Sequence, residues 1–157
     1  MSVSHKPEGY FSVTPYLIID GAAEAIDYYK QAFAAEEVLR LPMGDRIGHA
    51  EIRIGDSHVM LADEFPEMDL LGPQSRGGAT ASLMIYTEDV DATFARAIAA
   101  GGTEEKAVQD QFYGDRSGTL IDPFGHRWTV ATHVEDVAPD EIERRMASLG
   151  ERQAEPA

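Results

Sequence analysis

An α+β fold of two paired β-α-β-β-β modules, whose strands form a curved mixed sheet around a cleft and which a C-terminal helix follows, is predicted by three observations. The first is Thr119 to Ala131, where two runs rich in β-branched and aromatic residues flank Asp122-Pro123-Phe124-Gly125. Pro and Gly at that spacing are turn chemistry, and the unit reads as a hairpin. The second is Ile52 to Ala62, which repeats the plan around a tighter Gly55-Asp56 turn. The third is a common register. An offset of 68 residues carries Leu17 onto Ile85, Asp20 onto Glu88 and Ile26 onto Phe94, and an offset of 69 carries Val59 onto Trp128 and Met60 onto Thr129. Two copies of one unit explain all three.

In order along the chain, residues 1–12 form a polar, flexible N-terminus. The first module, 13–63, opens with a strand from Val13 to Ile19. Asp20-Gly21 can cap a helix whose apolar stripe is Ala22, Ile26, Tyr29 and Phe33. Glu37 to Met43 reads as a strand, and Pro42 puts it at an edge. Ile47 to Ile54 and Ser57 to Asp63 make the hairpin. Residues 64–79, with Pro66, Pro73 and three glycines, read as a linker. The second module, 80–134, runs from a strand at Ala81 to Thr87 into a helix with Asp89 as N-cap and Phe94, Ala97 and Ile98 facing inward; Gly101-Gly102 stops it. Thr103 to Asp110 can form a strand and Gln111 to Gly118 a polar loop before the last hairpin. In 135–157, Pro139 suits the first turn of a helix that has Ile142, Met146 and Leu149 apolar, Glu141 facing Arg145, and Gly150 at its end.

Composition narrows the function. With 157 residues and 43% hydrophobic content the chain can bury a sizeable core. No apolar run approaches the roughly eighteen residues of a membrane span, and Met1 to Gly9 lacks a signal-peptide core, so a cytoplasmic location and no membrane partner are expected. The absence of cysteine excludes disulfides and thiolate chemistry. Thirteen basic against 28 acidic residues give a net charge of -15, which repels nucleic acid and favours cationic or neutral ligands. Phosphate loops, Gly-x-Gly-x-x-Gly runs and Gly-x-Ser-x-Gly elbows do not occur.

Paired modules, Ala25-Ile26-Asp27-Tyr28-Tyr29 after the first strand and Asp122-Pro123-Phe124-Gly125-His126 before the last resemble the vicinal oxygen chelate superfamily, which contains glyoxalase I, extradiol dioxygenases and bleomycin-resistance proteins. The runs Tyr113 to Thr119 and Thr129 to Val137 resemble its PhnB-like branch more narrowly. The resemblance covers about Val13 to Met146 and implies the glyoxalase/bleomycin resistance fold, a small-molecule ligand and a homodimer. In metal-dependent members, His, Gln or Glu side chains from the first and last strands of each module hold one divalent ion that polarises two vicinal oxygens of the substrate. Aligned by its own helices and turns, this chain has Thr14, Met60, Ser82 and Thr129 at those positions, so no metal or other cofactor is expected.

Residue alternation supplies the other candidates. With Gly55-Asp56 as a two-residue turn, Arg53 pairs with His58 and Glu51 with Met60. His49, Glu51, Arg53 and His58 then look into the cleft, while Ala50, Ile52, Ile54, Val59 and Leu61 face the helices. Glu51 is the candidate general base, His49 with Glu51 a possible metal pair, and an Arg53–Glu51 ion pair the plain structural alternative. In the second hairpin Leu120 and Thr129 point into the cleft, and Ile121, Trp128 and Val130 toward the helices. Tyr113 and Arg116 sit where they could close over a ligand, or Arg116 could pin the loop through Asp115; His126 lies in a turn and is expected to be solvated.

Two functional readings follow. The first is a metal-independent binding protein of the drug or metabolite sequestration kind, its cleft lined by Thr14, Tyr16, Met60, Ser82, Met84 and Thr129. The second is a lyase, isomerase or transferase, metal-free through Glu51 or with a metal displaced onto His49 and Glu51.

Overall fold

A computed structural model describes residues 3–154, with side chains to residue 150. The first module consists of β1 (Tyr16–Ile19), α1 (Ala22–Phe33), β2 (Glu36–Met43), β3 (Arg46–Ile54) and β4 (Ser57–Asp63). A 3-10 turn at Pro66–Met68 and the one-turn helix α2 (Pro73–Arg76) occupy the expected linker. The second module consists of β5 (Ser82–Tyr86), α3 (Val90–Ala99), β6 (Thr103–Asp110), β7 (Asp115–Ile121) and β8 (Arg127–His133), and α4 (Pro139–Ala154) follows. Each module is a four-stranded sheet, ordered β1-β4-β3-β2 and β5-β8-β7-β6. In each, the first strand runs parallel to the last and the other pairs are antiparallel.

Alternation decides which face of each sheet meets the core. On the first sheet Leu17, Ile19, Ala50, Ile52, Val59 and Leu61 are buried, and on the second Leu120, Trp128 and Val130. The helices lie between: α1 contributes Ile26, Tyr29 and Phe33, and α3 contributes Phe94 and Ala97, to one shared core. Tyr29 and Phe33 both pack on Trp128, with ring centroids 5.3 and 5.0 Å away. The Tyr28 hydroxyl donates to the Ala97 carbonyl at 3.0 Å, joining α1 to α3.

Local sequence did not reveal how α1 begins. Gly21 is its N-cap residue and Asp20 caps nothing; Asp63, at the end of β4, accepts from the Gly21 and Ala22 amides at 3.2 and 2.8 Å, and its other oxygen accepts from Ile47 N at 2.6 Å. A carboxylate at a helix N-terminus satisfies amides that have no partner within the helix. In α3, Asp89 caps locally by accepting from Ala92 N at 2.9 Å.

Other expectations need correction. Helix α4 runs through Gly150 to Ala154. β7 and β8 are joined by five residues, 122–126, and Leu120 pairs with Trp128, so Leu120 is core and Thr119 stands opposite Thr129 on the other face. Asp122 explains that loop: its Oδ1 accepts from the Phe124 and His126 amides, both at 2.9 Å, folding the chain around one carboxylate. His126 is not simply solvated, since its Nε2 donates to the Ile18 carbonyl at 3.1 Å across the modules.

A β-bulge shapes the first sheet. Leu41 pairs with His49 but Pro42 with Ile47, leaving Gly48 as the extra residue on β3. Ile47 and Ala50 are therefore both buried in the core, although strict alternation would separate them.

Candidate functional site

The face of the first sheet turned away from the core carries a connected row of polar side chains. Tyr16, on β1, places its hydroxyl 2.8 Å from His49 Nδ1, and His49 Nε2 lies 3.0 Å from Glu51 Oε1. Tyr10, from the N-terminal segment, donates its phenolic proton to Glu51 Oε2. Burial raises the Tyr16 phenol above its ordinary value. Met60 lies beside this row, paired with Tyr16 on one side and Glu51 on the other. Arg53 reaches away to Glu36 rather than to Glu51.

Next to the row is an apolar pocket of about 360 Å³ lined by Tyr16, Ile18, Met43, Gly48, Ala62 and the loop residues Phe65, Met68 and Leu70. The loop is held over the sheet by reciprocal Phe65–Leu70 backbone bonds of 2.9 and 3.1 Å, and Arg46 stacks over the Phe65 ring at 4.1 Å. A larger cavity of about 1170 Å³ opens between the β3–β4 turn and β5, with Thr14, His58, Met84, Tyr86 and His133 among its walls.

The second sheet presents different chemistry. Met84 is paired with Thr129 and exposed, and Thr129 Oγ1 is 3.0 Å from Thr119 Oγ1. Ser82 opens β5 opposite Arg127, and Thr14 precedes β1, its hydroxyl 3.5 Å from the Phe11 carbonyl. The cross-strand neighbours of Met60 and Thr129 are thus Tyr16 and Met84. The side chains present do not fit a divalent ion. Hydroxyl and thioether groups stand at Thr14, Met60, Ser82 and Thr129, both His49 nitrogens are engaged, and among the described residues no three His, Asp or Glu side chains are grouped to hold a metal.

Arg116 and Tyr113 lie apart from both groups. Arg116 binds Asp91 at 2.8 and 2.9 Å and Asp110 at 3.1 Å, not Asp115, and these partners raise its pKa. Tyr113 packs edge-on against Phe112 in a loop that α4 ties down through Arg145, which donates to the Phe112 carbonyl at 3.1 Å.

Two constellations were missed in the sequence. One is Tyr10, hidden in a tail read as unstructured, although an aromatic pair at Tyr10-Phe11 was its signal. The other is a buried carboxylate on the second sheet. Asp115 accepts from the Tyr86 hydroxyl at 2.8 Å and stands 2.7 Å from His133 Nδ1, while His133 Nε2 lies 3.0 Å from Asp136. The bond to Asp115, with Asp136 adding to it, raises the His133 pKa, and the same carboxylate raises that of Tyr86. Pairing across β7–β8 brings Asp115 and His133 together, which spacing along the chain does not display.

Residues 12–130 match the family described as the Glyoxalase/Bleomycin resistance protein/Dioxygenase superfamily. The chain belongs to that superfamily. An uncharacterised protein of Mycobacterium bovis is 42% identical over 155 residues, covering 96% of this chain and 99% of its own. Among solved structures, TioX from Micromonospora sp. ML1 superposes with a TM-score of 0.61 at 25% identity, over 82% of this chain and 100% of TioX. The PhnB protein of Bacillus cereus superposes with a TM-score of 0.61 at 19% identity, over 78% of this chain and 99% of its own, and shares the fold. Superfamily membership and the paired four-stranded sheets agree with the fold expected from the sequence. No helix among the described residues is long and apolar enough to cross a membrane.

Proposed function

We propose that this superfamily member binds a small organic molecule, without a metal, on the open face of its first sheet. The observation that carries this reading is the apolar pocket of about 360 Å³ flanked by the Tyr16–His49–Glu51 row. Its volume falls in the range of roughly 300–1,000 Å³ usual for small-ligand sites, and such sites combine apolar walls with a few polar groups that orient the ligand. The apolar part of the ligand enters among Ile18, Met43, Phe65 and Met68, and a polar group meets Tyr16 or His49. A net charge of -15 favours a cationic or neutral ligand, in keeping with sequestration of a drug or metabolite.

Thermal-shift measurements against cationic glycopeptides and small aromatic metabolites test the reading. A hit should stabilise the wild type and lose its effect in Ala62→Met, which fills the pocket. Stabilisation by no compound, or a hit indifferent to that substitution, overturns it.

A homodimer in the cytoplasm is part of the proposal. Apolar side chains exposed along β2, namely Val38, Leu39, Leu41 and Met43, support an association surface. Sedimentation equilibrium checks this, and a monomer at micromolar concentration counts against it.

A second reading rests on the 3.0 Å contact between His49 and Glu51. An imidazole and a carboxylate in contact can move a proton on a bound substrate, giving metal-free isomerase or lyase chemistry. Glu51→Gln would then retain binding and lose turnover.

A further inference from the structure

The N-terminal segment folds back over the first sheet although it belongs to no strand. Gly9, at φ 81°, turns the chain so that its carbonyl meets His58 Nδ1 at 3.1 Å, and Lys6 Nζ donates to the Tyr10 carbonyl at 2.5 Å. The Tyr10 ring stacks on the His58 imidazole with centroids 3.9 Å apart and planes 17° from parallel, and its hydroxyl donates to Glu51. Its neighbours do not share this burial. Phe11 is 55% and Val13 85% exposed. A segment docked only to stabilise the fold would bury its largest apolar side chains. Here one ring enters a polar slot, and Phe11 and Val13 stay exposed along the wall of the larger cavity.

We propose that Tyr10 is an intramolecular occupant of a ligand subsite formed by His58 and Glu51. The external ligand of this subsite is a small planar aromatic molecule with a hydrogen-bond donor, and it binds by displacing Tyr10. This rests on the small-molecule reading above and specifies the chemistry of its ligand. The imidazole provides the stacking face, and Glu51 provides an acceptor for a phenolic hydroxyl or an arylamine. Glu51 is also the end of the Tyr16–His49 row, so the aromatic subsite and the apolar pocket are joined by one hydrogen-bonded chain. The tether keeps Tyr10 at a high effective concentration, and an external aromatic has to outcompete it.

Titration with p-cresol by calorimetry tests the proposal on the wild type, Tyr10→Ala, Tyr10→Ala/His58→Ala and Tyr10→Ala/Glu51→Leu, with toluene as the probe that lacks a donor. Removing a competing occupant raises apparent affinity by the inverse of the fraction of open sites, so Tyr10→Ala should bind p-cresol roughly tenfold or more tightly than the wild type. Either second substitution should abolish that gain, and toluene should bind neither protein. Glu51→Leu keeps much of the side chain's bulk without an acceptor oxygen and serves if His58→Ala fails to fold. Equal affinity for wild type and Tyr10→Ala, no binding to Tyr10→Ala, or binding indifferent to His58 and Glu51 overturns the proposal. A compound from the thermal-shift screen that stabilises wild type and Tyr10→Ala alike leaves the binding role intact and overturns the displacement.

Discussion

Tyr29, on the helix of the first module, donates its phenolic proton at 2.6 Å to Oδ2 of Asp122, which lies in the second. Trp128 Nε1 donates to the same oxygen at 2.9 Å, and Oδ1 takes two turn amides. One buried carboxylate thus folds its own hairpin and fastens the modules together, and three of its four partners, Tyr29, Phe124 and His126, lie in the two motifs that carry the family resemblance. Burial and Asp122 push the Tyr29 phenol well above its ordinary value, so the proton stays on tyrosine.

Tyr29→Phe removes one donor from a carboxylate that stays buried. The expected cost is about 1–3 kcal/mol, since a buried acceptor loses a partner it cannot replace with water. Asp122→Ala strands Tyr29, Trp128 and two amides together and should cost more. Urea denaturation of both variants checks the order, and equal stability of Tyr29→Phe and wild type would refute it.

Asp63→Ala should destabilise by about 1–2 kcal/mol through loss of the α1 cap, with a further loss from the orphaned Ile47 amide. Asp20→Ala should be nearly neutral. The same denaturation experiment distinguishes a cap borrowed from β4 from a local one.

His133 predicts a pH dependence of known sign. Its pKa is raised in the folded protein by Asp115 and Asp136. Its contribution is then complete below the ordinary imidazole value of about 6.5 and is lost as pH rises through the folded value. The difference in Tm between wild type and His133→Gln should therefore shrink from pH 6 to pH 8.5. An NMR titration of the ring should show a midpoint above about 6.5, and one at or below it contradicts the pairing.

Gly114 holds the C-terminal segment against the second sheet. At φ 103° its carbonyl accepts from the Val134 and Glu135 amides at 2.9 and 3.0 Å, and a Cβ there would lie 2.1 Å from the Glu135 carbonyl oxygen. Gly114→Ala incurs about 1–2 kcal/mol from the left-handed backbone alone and must also push residue 135 away. Limited proteolysis should open the variant between β8 and α4 before the wild type.

Treatment with a chelator should leave Tm unchanged, and elemental analysis of protein purified without chelator should find no stoichiometric divalent ion. A bound ion lost in His49→Ala would replace the metal-free reading with a metal centre on His49 and Glu51.

Much of this architecture was legible because its signals are local. The Gly55-Asp56 turn set the Glu51–Met60 and Arg53–His58 pairings, and Asp89 sits directly before the helix it caps. What escaped depends on partners far along the chain. Asp63 caps a helix that starts 41 residues earlier, Arg53 turns to Glu36 on the neighbouring strand, and Tyr10 reaches Glu51 across 41 positions. The error at Leu120 had another origin. Asp122 collects the Phe124 and His126 amides and lengthens the turn to five residues, and one residue of slip reverses the faces of a strand.

The extra residue at Gly48 has an evolutionary consequence. It lets Ile47 reach the interior while His49 and Glu51 still look outward, so a single-codon deletion there would rotate the beginning of β3 by half a turn and withdraw either Ile47 or the imidazole from its place. Descendants of this chain can thus gain or lose an outward-facing histidine through a change in length, with no substitution at all.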